Sequence, residues 1–219
     1  MTAREGSAAA AVAGIQRHLE AIYAVEAGQE ISRFLVGDEQ VARWADQGVV
    51  ADEQRGADEQ VLIIQRGPQE IELALHLADS VQAGLASGGT LADHCHATEG
   101  VSHVLMLLFA AQVERPVRML DLELQAEVDK AVTCLLLARS TPGSASAEVW
   151  IRRLFGAVKF REDLAEHERQ RYREAHRLGA RYAGHLASLL GDGVDRVLTE
   201  LRRFYRLPGE GKRQRAAAA

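Results

Sequence analysis

Val61-Leu62-Ile63-Ile64-Gln65-Arg66-Gly67-Pro68-Gln69-Glu70-Ile71-Glu72-Leu73-Ala74-Leu75-His76-Leu77 is the stretch where the chain leaves helical periodicity. A β-branched run ends at the turn dipeptide Gly67-Pro68. A second run then alternates Ile71, Leu73, Leu75 and Leu77 with Glu70, Glu72, Ala74 and His76. Period two on both sides of a turn signals a β-hairpin with one buried face and one wet face. A lone hairpin is marginal in water, so this one must pack on helices or gain a third strand. Val49-Val50 is the visible candidate for that strand.

The rest of the chain reads as helix. Val12, Ile15, Leu19, Ile22 and Tyr23, then Ile31, Phe34 and Leu35, recur at helical spacing across residues 8–36, with Gly28 as an interruption. Asp38 is placed to cap a shorter helix carrying Val41 and Trp44, and residues 51–59 read as a polar loop. Thr90 is an N-cap candidate with Asp93 in the first turn, where negative charge suits the helix dipole. Helices over 91–113 and 117–139, joined by Glu114-Arg115-Pro116, are spaced as an αα-hairpin. Ser140-Thr141-Pro142-Gly143-Ser144 is a linker, followed by helices over 148–155, 158–190 and 194–205.

The expected fold class is therefore α+β and predominantly α-helical. It comprises a central antiparallel helical hairpin, a small β-hairpin packed beside it and a C-terminal helical arm. Residues 1–139 are expected to form an acidic α+β core, residues 145–207 a basic arm packed on it, and residues 208–219 a disordered tail. The charge pattern runs parallel to this division. Residues 1–149 hold 10 basic against 22 acidic side chains, and residues 150–219 hold 16 against 9. Such segregation suits docking within the chain or onto a charged partner.

Two cysteines and no CxxC pair exclude a disulfide framework and a zinc ribbon. No apolar run reaches the roughly 18–20 residues of a membrane span. No signal peptide is visible, so a cytoplasmic protein without membrane attachment is expected. There is no GxGxxG, P-loop, GxSxG, HExxH or EF-hand signature, which argues against the common nucleotide-dependent and hydrolase classes.

The chemistry-bearing cluster lies between His94 and Glu127. On a helical wheel Glu99 and His103 fall within about 60° of His96, and Glu123 and Glu127 share a sector of the next helix. If the hairpin folds near residue 115, His103 meets Glu127 and His96 meets Cys134, with Glu99 and Glu123 nearby. His96, Glu99, His103, Glu123 and Glu127 are then candidate ligands for a divalent metal (Fe, Mn or Zn), as carboxylate sites in helical bundles are. The spacing Glu99-x-x-x-His103 departs from the Glu-x-x-His of ferritin-like sites. A metal-free variant has Glu99, His103 and Glu127 as acid–base residues, with Glu127 orienting the imidazole. A structural alternative is a satisfied network in which His103 donates to Glu127 and Lys130 neutralises the remaining charge.

Arg169, Arg173, Arg177 and Arg181 recur every fourth residue, and Arg202 and Arg203 follow; these are candidate contacts to nucleic acid or to an acidic partner. With no strong catalytic motif, the expected function is a non-enzymatic binding or adaptor protein of a cytoplasmic assembly, with a protein partner or self-association. The alternatives are a metal-dependent or acid–base enzyme using the Glu/His site, and a nucleic-acid-binding protein using the Arg-rich helices.

Overall fold

Three strands make the sheet: β1 (Leu35–Val36), β2 (Glu59–Gly67) and β3 (Glu70–Leu77), in the order β1-β3-β2. β2 and β3 form the antiparallel hairpin that the alternation predicts, with a register shift between Gln65 and Gly67 beside the turn. β1 runs parallel to β3, Leu35 beside Leu75 and Val36 beside His76. Val49 and Val50, the expected third strand, instead pack against Val41, Trp44, Leu62, Ile64 and Ala74. The computed structural model describes residues 3–68, 70–156, 158 and 164–219, so Gln69 of the turn and the expected helix start at 159–163 lie outside it. The protein is 69% helical with a small mixed sheet, as the composition led one to expect.

Burial along β3 departs from simple alternation. Ile71, on the face expected to be buried, is 69% exposed, whereas His76, on the expected wet face, is 1% exposed. The reason is that cover on the sheet grades along the strands rather than across them. Ala74, Leu75, His76 and Leu77 are all buried at one end, while the hairpin tip projects. On one face, helix α2 (Asp38–Asp46) inserts Val41 and Trp44 against Leu62, Ile64 and Ala74. His76 is satisfied there by Asp38 at 2.9 Å and Gln60 at 3.4 Å.

The chain divides into two compact units, Met1–Glu20 with Glu26–Phe109 and Ala21–Val25 with Ala110–Ala219. The boundary thus falls between the two helices of the expected hairpin rather than at the 140–144 linker. The first unit holds the sheet, α2, most of α1 (Ala3–Tyr23), α3 (Asp79–Ala86) and α4 (Leu91–Gln112). The helical pattern expected over 8–36 ends early: α1 stops at Tyr23, and Ile31–Phe34 form a 3-10 turn leading into β1. Gln16 of α1 holds that turn by accepting from the Ile31 amide at 2.8 Å and donating to the Gln29 carbonyl at 2.9 Å. α3 is tied to the sheet by Gln82, which donates to the carbonyls of Val36 and Leu77.

Thr90 caps α4 as its sequence predicts. The Asp93 amide donates to the Thr90 hydroxyl at 3.2 Å, and the Thr90 amide donates back to Asp93 at 2.7 Å. This reciprocal box stabilises the first turn. It also holds the Asp93 carboxyl below its usual range, through the Thr90 amide first. α4 presses onto the sheet at Gly100, where an added Cβ would lie 2.4 Å from Leu75 and 3.0 Å from Glu59. Gly100→Ala is therefore expected to destabilise the protein by about 1–3 kcal/mol through overpacking. Urea unfolding checks this, and an unchanged midpoint would contradict the close approach.

In the second unit α7 (Glu166–Leu190) packs on α5 (Met119–Ser140), α6 (Ala147–Phe155), α8 (Val194–Arg206) and α9 (Gly209–Ala218). Gly179 permits close approach of α7 to α5, since a Cβ there would lie 2.5 Å from the Cβ of Glu127. Residues 208–219, expected as a disordered tail, form α9 instead. The reason is tertiary: Lys212 and Ala216, one turn apart, are buried, and Arg213 and Arg215 pair with Asp121 and Glu200. Arg202 and Arg206 of α8 donate to the carbonyls of residues 21–24, where α1 ends and Ala24 takes a positive φ of 50°. Cations on the last carbonyls of a helix satisfy orphan acceptors and its dipole together. Among the described residues no helix is long and apolar enough to cross a membrane.

Candidate functional site

The five residues proposed as metal ligands fall into two sets. His96, Glu99 and His103 belong to the first unit, and Glu123 and Glu127 to the second. Each set has its own surroundings.

In the first unit the helical period of α4 lines up Glu99 and His103 beside Gly100, where the helix meets the sheet. Glu99 and His103 each offer a ligand atom within 4.8 Å of the other. The strand supplies a third group, because Glu59 opens β2 on the face that meets α4. Its Oε1 stands 3.7 Å from His103 Nδ1, and both side chains are more than nine-tenths buried. The preceding Asp58 stands 3.9 Å from His96 Nε2, in a much more exposed pair. His103 thus sits between carboxylates from a strand and from its own helix. His96 lies one step toward the surface and faces a different acid.

Two donors each about 2.1 Å from a tetrahedral ion lie roughly 3.4 Å apart. The 3.7 Å gap between His103 and Glu59 approaches that spacing. It exceeds the roughly 2.6–3.2 Å over which a carboxylate orients a general base directly. Glu99 and His103, a carboxylate and an imidazole with ligand atoms within 4.8 Å of one another, are donor types that suit a borderline divalent cation.

In the second unit Glu127 stands 3.3 Å from Lys130 and 3.7 Å from His176. The Glu127 carboxylate raises the His176 pKa above its usual value, against the opposing effect of burial. Glu123, almost fully buried, has Arg171 at 3.7 Å. Lys130 accordingly serves Glu127 as the network reading expects, and His176 joins it. Of the arginine stripe, Arg169 donates to the Leu164 carbonyl, Arg177 makes a two-pronged pair with Glu174, and Arg202 holds the end of α1. Arg173, Arg181 and Arg203 are exposed.

The second unit also holds a polar core that the sequence reading missed. Tyr23 donates to Asp129, Gln125 donates to both of them, and Lys212 donates to Gln125. Lys212, Gln125 and Asp129 are wholly inaccessible to solvent. The Lys212 ammonium lies 4.8 Å from the centre of the Tyr205 ring, and Tyr23 stacks on that ring at 4.2 Å. Burial pulls the Lys212 pKa down to about 7, while Asp129 and Asp121 oppose the fall. Burial, then Asp129, pushes the Tyr23 phenol well above its usual range. Nearby, burial disfavours charge on Glu200, yet the Arg215 fork and the Tyr182 hydroxyl hold its carboxyl below the usual range.

Comparison with known proteins adds no analogy to this geometry. The chain matches no protein-family model, no curated protein and no solved structure.

Proposed function

We propose that the protein binds a divalent cation, zinc or manganese by donor type, through Glu99 and His103 with Glu59 as a flanking carboxylate 3.7 Å from the imidazole, and that this site serves a metal-dependent reaction. The observation that carries the reading is the approach of Glu59 and Glu99 to one buried imidazole from two different elements. A bound cation there would act as a Lewis acid and lower the pKa of its water. Glu99 is less buried than His103.

Titration of the purified protein with zinc and manganese tests this, read by calorimetry and by thermal shift. One equivalent should bind, and at a hundredfold excess over Kd the fold should gain about 2.7 kcal/mol. Glu99→Gln, an isosteric change at a half-buried position, should weaken binding at least tenfold without altering the metal-free melting point. His103→Ala should abolish it. Absence of binding by the wild type, or equal binding by Glu99→Gln and His103→Ala, refutes the site. A binding or adaptor role draws support from a different feature, the outer edge of β2, which pairs with no further strand among the described residues.

A further inference from the structure

We propose that two copies of this chain associate by antiparallel pairing of their β2 edges, joining two three-stranded sheets into one across a two-fold axis at Ile63. The strand order β1-β3-β2 leaves β2 with β3 on one side and, among the described residues, no strand on the other. Soluble proteins usually blunt such an edge with lysine, proline or short length. Here the edge strand is nine residues long, and Val61-Leu62-Ile63-Ile64 contains neither residue. Ile63 is 61% exposed in the middle of it.

The side-chain pattern selects a second copy as the occupant. Ile63 stands opposite Leu73 in the hairpin, and Val61 opposite Leu75. With Ile63 on the axis, Leu73 and Ile63 of one copy continue into Ile63 and Leu73 of the other as a single apolar row, and Val61 faces Gln65. Residues directly opposed across an antiparallel pair share a face, so this register gives the exposed isoleucine an apolar cross-strand neighbour and leaves the polar positions at the flanks. Charge agrees. The exposed Asp58 precedes the strand and Arg66 lies near its end, so an antiparallel copy sets unlike ends together, whereas a parallel copy would set like ends together. A self-complementary patch of this kind is what a two-fold interface requires. The pairing rests on the strand edge alone and does not depend on the cation site.

Sedimentation velocity on the full chain, across a hundredfold concentration range from micromolar upward, tests it. The wild type should run as a dimer of the 23.9 kDa chain. Ile63→Lys should run as a monomer with the same circular dichroism and melting point. Ile71→Lys, equally exposed but one strand in from the edge, should remain dimeric. A wild type monomeric throughout overturns the proposal and leaves the edge to a strand of some other protein. A dimer that survives Ile63→Lys overturns it as well, as does one lost only in Ile71→Lys.

Discussion

Asp129→Ala is expected to destabilise the second unit by about 3–5 kcal/mol, because it removes one partner from a buried charged pair. Asp129 accepts from Tyr23 and Gln125 and is the strongest favourable charge acting on Lys212. Without it, a buried phenol and amide lose an acceptor, and a buried amine loses its counter-charge. At pH 9, where the folded Lys212 is largely neutral, Lys212→Met should cost less, since Asp129 keeps both hydrogen bonds, only Gln125 loses a donor, and the methionine can fill the space over Tyr205. Urea unfolding of both variants and of the double mutant measures the coupling. Additive effects would mean that Asp129 and Lys212 do not act as a unit.

Stability should also rise with pH across the neutral-to-alkaline range, opposite to the behaviour of a protein held by surface lysine pairs. Lys212 titrates at about 7 when folded, against 10.5 as its ordinary value. Below pH 7 it is charged in both states and contributes no pH dependence. Between the two values the unfolded chain carries a proton that the folded protein lacks, so the folded state gains as pH climbs. From pH 7 to pH 10 the gain is roughly 3 kcal/mol. Above pH 10 the sign reverses, because the unfolded Tyr23 phenol loses its proton while the buried one retains it. Unfolding curves at pH 7, 8, 9 and 10 should therefore show a climbing midpoint in the wild type and a flatter one in Lys212→Met. A flat wild-type profile would rule out a neutral Lys212 in the folded protein.

The elements most legible in the sequence were those whose stabilisation is local. The hairpin announced itself through period-two alternation around Gly67-Pro68, and α4 through Thr90 and Asp93, whose reciprocal bonds use residues three apart. α9 was illegible because its anchors are distant. Gly-Glu-Gly-Lys-Arg-Gln-Arg carries no apolar stripe, and the helix exists because Asp121, Gln125 and Glu200 receive its cations. The same distinction divides the candidate site. The i,i+4 relation of Glu99 and His103 could be read from spacing, but Glu59 lies 40 residues earlier and had been assigned to a loop. Extending the strand alternation back two residues from Val61 would have placed Glu59 on the face shared with Leu75 and Leu77. Nothing in the sequence around Lys212 marks it for burial. His76 was misread for a related reason, since alternation reports a strand's two faces and not how far each is covered along its length.

Tyr23 and Tyr205 belong to one stack although 181 residues separate them. During translation the second ring emerges only after the 181 residues that follow the first. The nascent protein must therefore carry an exposed phenol and an unclosed α1 terminus while α5, α6 and α7 emerge, and only the arrival of Arg202, Tyr205 and Arg206 can complete that corner. Premature termination just before α8 would leave most of the helices translated and the aromatic clasp permanently open.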